Sequence, residues 1–110
     1  MNKEIVIWKE CSNDNKTIHL YWDDKFGLWC AFGISAFGVV LWLNKNKIKD
    51  NSHYSEEMCM PITLLTTDSL TSLAQNAADI KEISRTYVCL KMKQEVDEDM
   101  YSSWAEHLRN

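Results

Sequence analysis

Proline occurs once and glycine three times in these 110 residues, too few for a disordered chain or a loop-rich scaffold. The four cysteines, Cys11, Cys30, Cys59 and Cys89, stand 19, 29 and 30 residues apart and include no C-x-x-C pair. The histidines His19, His53 and His107 are equally scattered. Metal ligands come clustered at short spacing, so no metal site is expected. Met1–Glu10 places only four apolar residues between charges, far short of a secretory h-region. The expectation is therefore a cytoplasmic chain with reduced thiols. Gly27, Gly33 and Gly38 are embedded in apolar sequence and form neither G-x-G-x-x-G nor a P-loop. There is no G-x-S-x-G elbow and no H-E-x-x-H pair. A calcium loop starting at Asp97 fails, because its sixth position is Ser102 and its twelfth Leu108. No cofactor is expected, and no enzymatic activity. Internal repeats and linker-like stretches are missing too, so residues 1–110 read as a single domain.

The apolar fraction of 45% and charged fraction of 25% suit an ordinary globular core. The net charge of −4 is unevenly spread. Residues 1–50 hold seven lysines and six acidic groups (+1), whereas residues 51–110 hold five basic and ten acidic groups (−5). An acidic second half repels phosphate, which argues against nucleic acid and for a basic protein partner.

Ile5–Trp8 reads as a short apolar strand and Cys11–Lys16 as a loop. Thr17–Trp22 alternates with period two, the mark of a half-buried strand, so an N-terminal hairpin is expected. Phe26–Leu43 runs eighteen residues without a charge and contains all three glycines. That length reaches the threshold of a membrane helix, and Trp29, Trp42 and the following Lys45, Lys47 and Lys49 suit one. The favoured reading is two buried strands, Leu28–Ile34 and Phe37–Leu43, joined around Ser35 and Ala36. A single membrane span over residues 26–43 is the alternative.

Farther on, a turn is expected at Asn44–Asn46, an edge strand at Lys47–Lys49 and an extended piece at Met60–Leu65. Leu70, Leu73, Ala77 and Ile80 recur at helical spacing, predicting a helix from Thr67 or Asp68 to near Ser84. Thr86–Met92 alternates as a strand. Asp97 is a good N-cap for a last helix near 97–109, with Val96 and Tyr101 placed as a hydrophobic staple and Met100, Trp104 and Leu108 as its apolar stripe. The fold class is then α+β: a mainly antiparallel sheet of about five or six short strands, carrying a helix near 68–84 and the C-terminal helix packed on it.

Three acidic clusters stand out: Asp23–Asp24, Glu56–Glu57, and Glu95 with Asp97, Glu98 and Asp99. Among five tryptophans, Trp8 and Trp22 adjoin charge and are the better candidates for exposed interface anchors. These ten residues form the expected partner-binding set. In format (short, acidic, leaderless, without motif, rich in aromatics) the chain resembles the immunity proteins of bacterial toxin–immunity pairs. The likeness is one of functional class, since no motif carries a family. It implies a small cytoplasmic inhibitor whose carboxylates meet the basic active-site groove of a nuclease-like toxin, and it is compatible with a homo-oligomer.

Overall fold

The computed structural model describes residues 2–110. In chain order its elements are α1 (Lys3–Cys11), β1 (Thr17–Asp23), β2 (Leu28–Phe32), α2 (Gly33–Lys45), β3 (Asn51–Ser55), β4 (Met60–Leu65), α3 (Thr67–Gln75), β5 (Asp79–Ile83), β6 (Tyr87–Lys91) and α4 (Glu98–Arg109). All six strands join one antiparallel sheet, ordered β3-β4-β2-β1-β6-β5. This is the expected α+β class, with the C-terminal helix on the sheet.

Alternation in β1 sorts its side chains to two buried faces. Ile18 and Leu20 join Trp29, Ala31, Leu65, Val88 and Leu90 beneath α2 and α3. Tyr21 faces the other way and meets Cys30, Phe32, Met58 and Val6 of α1. Three helices thus cover one face of the sheet and α1 covers the other. The alternation expected for the strand at 86–92 and the extended piece at 60–65 appear as β6 and β4. Pro61, second in β4, pairs with Tyr54 of β3 and lies just beyond the β2–β4 pairing, near a strand start, where proline is tolerated.

Several expectations fail locally. Ile5–Trp8 is not a strand: Asn2 accepts the Ile5 N–H and starts α1, which buries only Val6 and Glu10, one turn apart. A run of four apolar residues carries no period to decide the matter. β1 consequently pairs with β2 and β6 instead of an N-terminal strand. The uncharged run at 26–43 contains one strand, β2, and then a helix. Gly33 adopts φ +56 and turns the chain from strand to helix without a loop. α2 is apolar on nearly every side because it lies between the sheet and α4, and such a helix loses the stripe that would reveal it. Its 13 residues span about 20 Å, and among the described residues no helix is long and apolar enough to cross a membrane.

The same displacement runs downstream. α2 runs to Lys45 and is closed by Asn46, so the turn expected at Asn44–Asn46 is shifted to Asn46–Lys47, and the edge strand expected at Lys47–Lys49 begins only at Asn51. The helix expected to reach Ser84 is capped by Thr66 and stops at Gln75, with Asn76 closing its end. Ile80 lies in β5, so its helical spacing from Ala77 is coincidental. α4 behaves as read: Asp97 accepts the Met100 N–H at 3.0 Å, and Val96 and Tyr101 pack together with Phe37 and Trp104. Its apolar stripe is rotated, however. Met100 is 56% exposed, and Tyr101, Trp104, Ala105 and Leu108 are the partly buried positions.

Candidate functional site

Asp23 and Asp24 occupy the β1–β2 turn. Asp23 Oδ1 accepts the Lys25 N–H at 2.9 Å, and Asp24 Oδ1 accepts from Trp22 Nε1 at 2.6 Å. Glu56 and Glu57 are exposed in the β3–β4 turn. Glu95 is exposed before α4, Asp97 caps it, Glu98 accepts from Asn15 Nδ2 at 3.1 Å, and Asp99 is exposed in its first turn. These clusters do not converge. The strand registers put Asp23–Asp24 at one end of the sheet and the others at the opposite end, about 20 Å away along β1. Trp8 is 69% exposed on α1, while Trp22 lies on the opposite face against Trp29, ring centroids 5.4 Å apart. Trp22, Asp23 and Asp24 thus share one corner, Glu56, Glu57, Glu95, Asp97, Glu98 and Asp99 lie toward the opposite end, and Trp8 stands apart.

Trp29 connects that corner to an apolar groove of about 320 Å³ between α3 and the sheet edge, lined by Trp29, Leu70, Ala74, Ile80, Ile83 and Val88. β5 forms the edge, and every one of its residues is exposed. Residues three apart on a regular strand point to opposite faces. Here a bulge between Ile80 and Glu82 resets the register, so that Ile80 pairs with Leu90 and Ile83 with Val88. Both isoleucines therefore face α3, and they remain 47% and 65% exposed. Lys81 at the bulge also guards the edge against pairing with another strand.

A second cluster is polar and buried. Glu10, 6% exposed, accepts the Ser35 N–H at 2.9 Å and the Ser35 Oγ–H at 2.6 Å. The residue preceding α2, Phe32, has no side-chain cap to offer, so Glu10 caps this helix from another element. Burial pushes the Glu10 carboxyl up to about 7, against the opposing pull of the Ser35 and Asn13 hydrogen bonds. Ser35 Oγ in turn accepts the His19 N–H at 2.9 Å. His19 Nδ1 lies 2.6 Å from the Tyr87 hydroxyl, and burial, reinforced by Lys9, lowers the imidazole to about 4. Ser35 has no exposed surface, and its hydrogen bonds tie α2 to α1 and β1. Cys59 sits exposed in a turn with Sγ directed to the Glu56 carbonyl.

Among the described residues, no group of three His, Cys, Asp or Glu side chains could hold a metal ion. Sequence reasoning missed Ile80 and Ile83, because Ile80 fitted a helical stripe, and Glu10, which looked like the charged border of a strand. The usable signal was the β-branched pair in DIKEI, whose spacing of three is strand-like only with a bulge. No protein family, curated protein or solved structure matches this chain.

Proposed function

We propose that the chain is a small inhibitor that acts by binding and covering a basic protein partner, the functional class of the immunity proteins that block bacterial nuclease-like toxins. One observation carries the reading: Ile80 and Ile83, turned to the same side over an apolar groove on an outer strand. Large apolar side chains displayed together beside tryptophan have the anatomy of a protein-binding core. Trp22 packs on the groove residue Trp29 and bonds Asp24, and Phe26 is 65% exposed in the same β1–β2 turn. Asp23, Asp24 and Asp68 outnumber Lys25 and Arg85 at this end of the sheet, and the net charge of −4 favours a cationic partner. Glu56, Glu57, Glu95, Asp97, Glu98 and Asp99 then act through the long-range field, and Trp8 lies outside the grip. The place of action under this reading is the cytoplasm.

Co-expression with the product of the neighbouring gene, followed by calorimetry and an activity assay of that product, tests the proposal. The expected result is a complex that suppresses the partner. Ile83→Asp weakens it by about 30-fold or more without lowering the thermal midpoint, and reversing Asp23 and Asp24 to lysine slows association and removes part of its salt dependence. Absence of a complex, or equal affinity for Ile83→Asp, overturns it.

A further inference from the structure

A separate cavity of about 240 Å³ opens between the C-terminal half of α2, the start of β1 and the segment joining β6 to α4. Ile18, Ile34, Leu41 and Met92 give it an aliphatic floor. Gly38 lets α2 lie low over that floor, since a Cβ there would stand 3.2 Å from Ile18 Cδ1. The lining also includes Lys16, Lys45 and Lys93 but no carboxylate. Among the described residues the ion pairs are Lys81 with Asp79 and Lys91 with Asp14, so these three lysines have no acidic partner. Of the nearby carboxylates, Asp14 is engaged by Lys91 and Glu98 by Asn15, and Glu95 lies outside the lining. The side-chain amides of Asn46 and Asn76 are committed to the carbonyls of Trp42 and Ser72. In an acidic chain this is a local reversal of charge over an apolar surface.

We propose that this cavity binds a medium-chain carboxylate, with its alkyl tail on the aliphatic floor and its head group among Lys16, Lys45 and Lys93. A dry cavity of about 150 Å³ takes up benzene, so this one has room for roughly ten non-hydrogen atoms, the size of octanoate. Burial of the tail supplies affinity, and the lysines, as mobile point charges, supply preference for an anion. The site shares no lining residue with the α3–β5 groove, although Gln75 of that groove and Asn76 of this cavity are consecutive, and it does not depend on the inhibitor reading.

Titration of ¹⁵N-labelled protein with octanoate, octanol, octyl phosphate and inorganic phosphate tests the assignment. Octanoate should bind saturably at one site and shift the signals of Lys16, Gly38, Met92 and the Trp42 indole. Octanol and inorganic phosphate should bind at least tenfold more weakly, and the double variant Lys45→Gln/Lys93→Gln should weaken octanoate about tenfold while leaving octanol unchanged. Lack of saturable shifts, equal binding of octanol and octanoate, or shifts confined to the α3–β5 groove would overturn the proposal. Octyl phosphate binding tenfold tighter than octanoate would overturn the carboxylate assignment.

Discussion

Ser35 occupies the third position of α2, where a helix leaves its N–H without an internal acceptor. That N–H and the side-chain hydroxyl both donate to Glu10, and the same hydroxyl oxygen accepts from the His19 backbone. Removing the hydroxyl leaves one buried acceptor and one donor unpaired at once. Ser35→Ala should therefore cost about 2–3 kcal/mol, read as a shift in urea midpoint at constant slope. Tyr21 offers the opposite case, since its buried hydroxyl has no hydrogen-bond partner among the described residues. Tyr21→Phe removes an unsatisfied group without opening a cavity and should be neutral or stabilising by up to about 1 kcal/mol. Equal losses in the two variants would show that the network around Ser35 contributes nothing specific.

The junction between β2 and α2 decides the architecture at the scale of elements. Gly33 holds φ +56, and an added Cβ would stand 3.3 Å from Met60 Sδ and 3.4 Å from Glu10 Cβ. Gly27 has a similar φ of +64 but open space around it. Gly27→Ala should thus cost only backbone strain of about 1 kcal/mol, and Gly33→Ala more, roughly 2–3 kcal/mol, because the strain is compounded by crowding beside the Glu10 cap. Thermal unfolding of the two variants side by side would expose an error if Gly27→Ala proved the worse. The same junction explains what was legible in the sequence. α4, β1, β4 and β6 announce themselves through signals contained in a few consecutive residues: the Asp97 cap, the alternation of Ile18, Leu20 and Trp22, Pro61, and the alternation of Val88 and Leu90. α1 and α2 depend on each other through Glu10 and Ser35, 25 residues apart, and no local pattern carries that dependence. β5 was hidden because Ala77 and Ile80 prolong the helical period of α3. The candidate site divides likewise: Trp22 with Asp24 was visible as an aromatic beside acid, whereas Ile83 gains meaning only through the bulge and its pairing with Val88.

Across the whole molecule, two buried titrations oppose one another. Glu10 titrates near 7 in the folded chain, above its ordinary 4.5. Its stabilising contribution is complete below pH 4.5 and is lost as pH rises through 7. His19 titrates near 4, below its ordinary 6.5, so its contribution is complete above pH 6.5 and is lost as pH falls through 4. Between pH 4.5 and 6.5 the slopes have opposite signs and largely cancel, and Asp14, held down by Lys91, enters only below that window. The intact protein should show a nearly flat stability profile there, declining slightly from pH 6.5 to 7 where Glu10 acts alone. Glu10→Gln should gain stability as pH rises from 4.5 to 6.5. His19→Gln should lose it from pH 4.5 to 7, by about 3 kcal/mol if the full Glu10 shift is expressed. Urea midpoints of the three proteins at half-unit pH steps decide the matter: parallel profiles would mean that Glu10 and His19 titrate as exposed groups, and that α2 is held on β1 by packing alone.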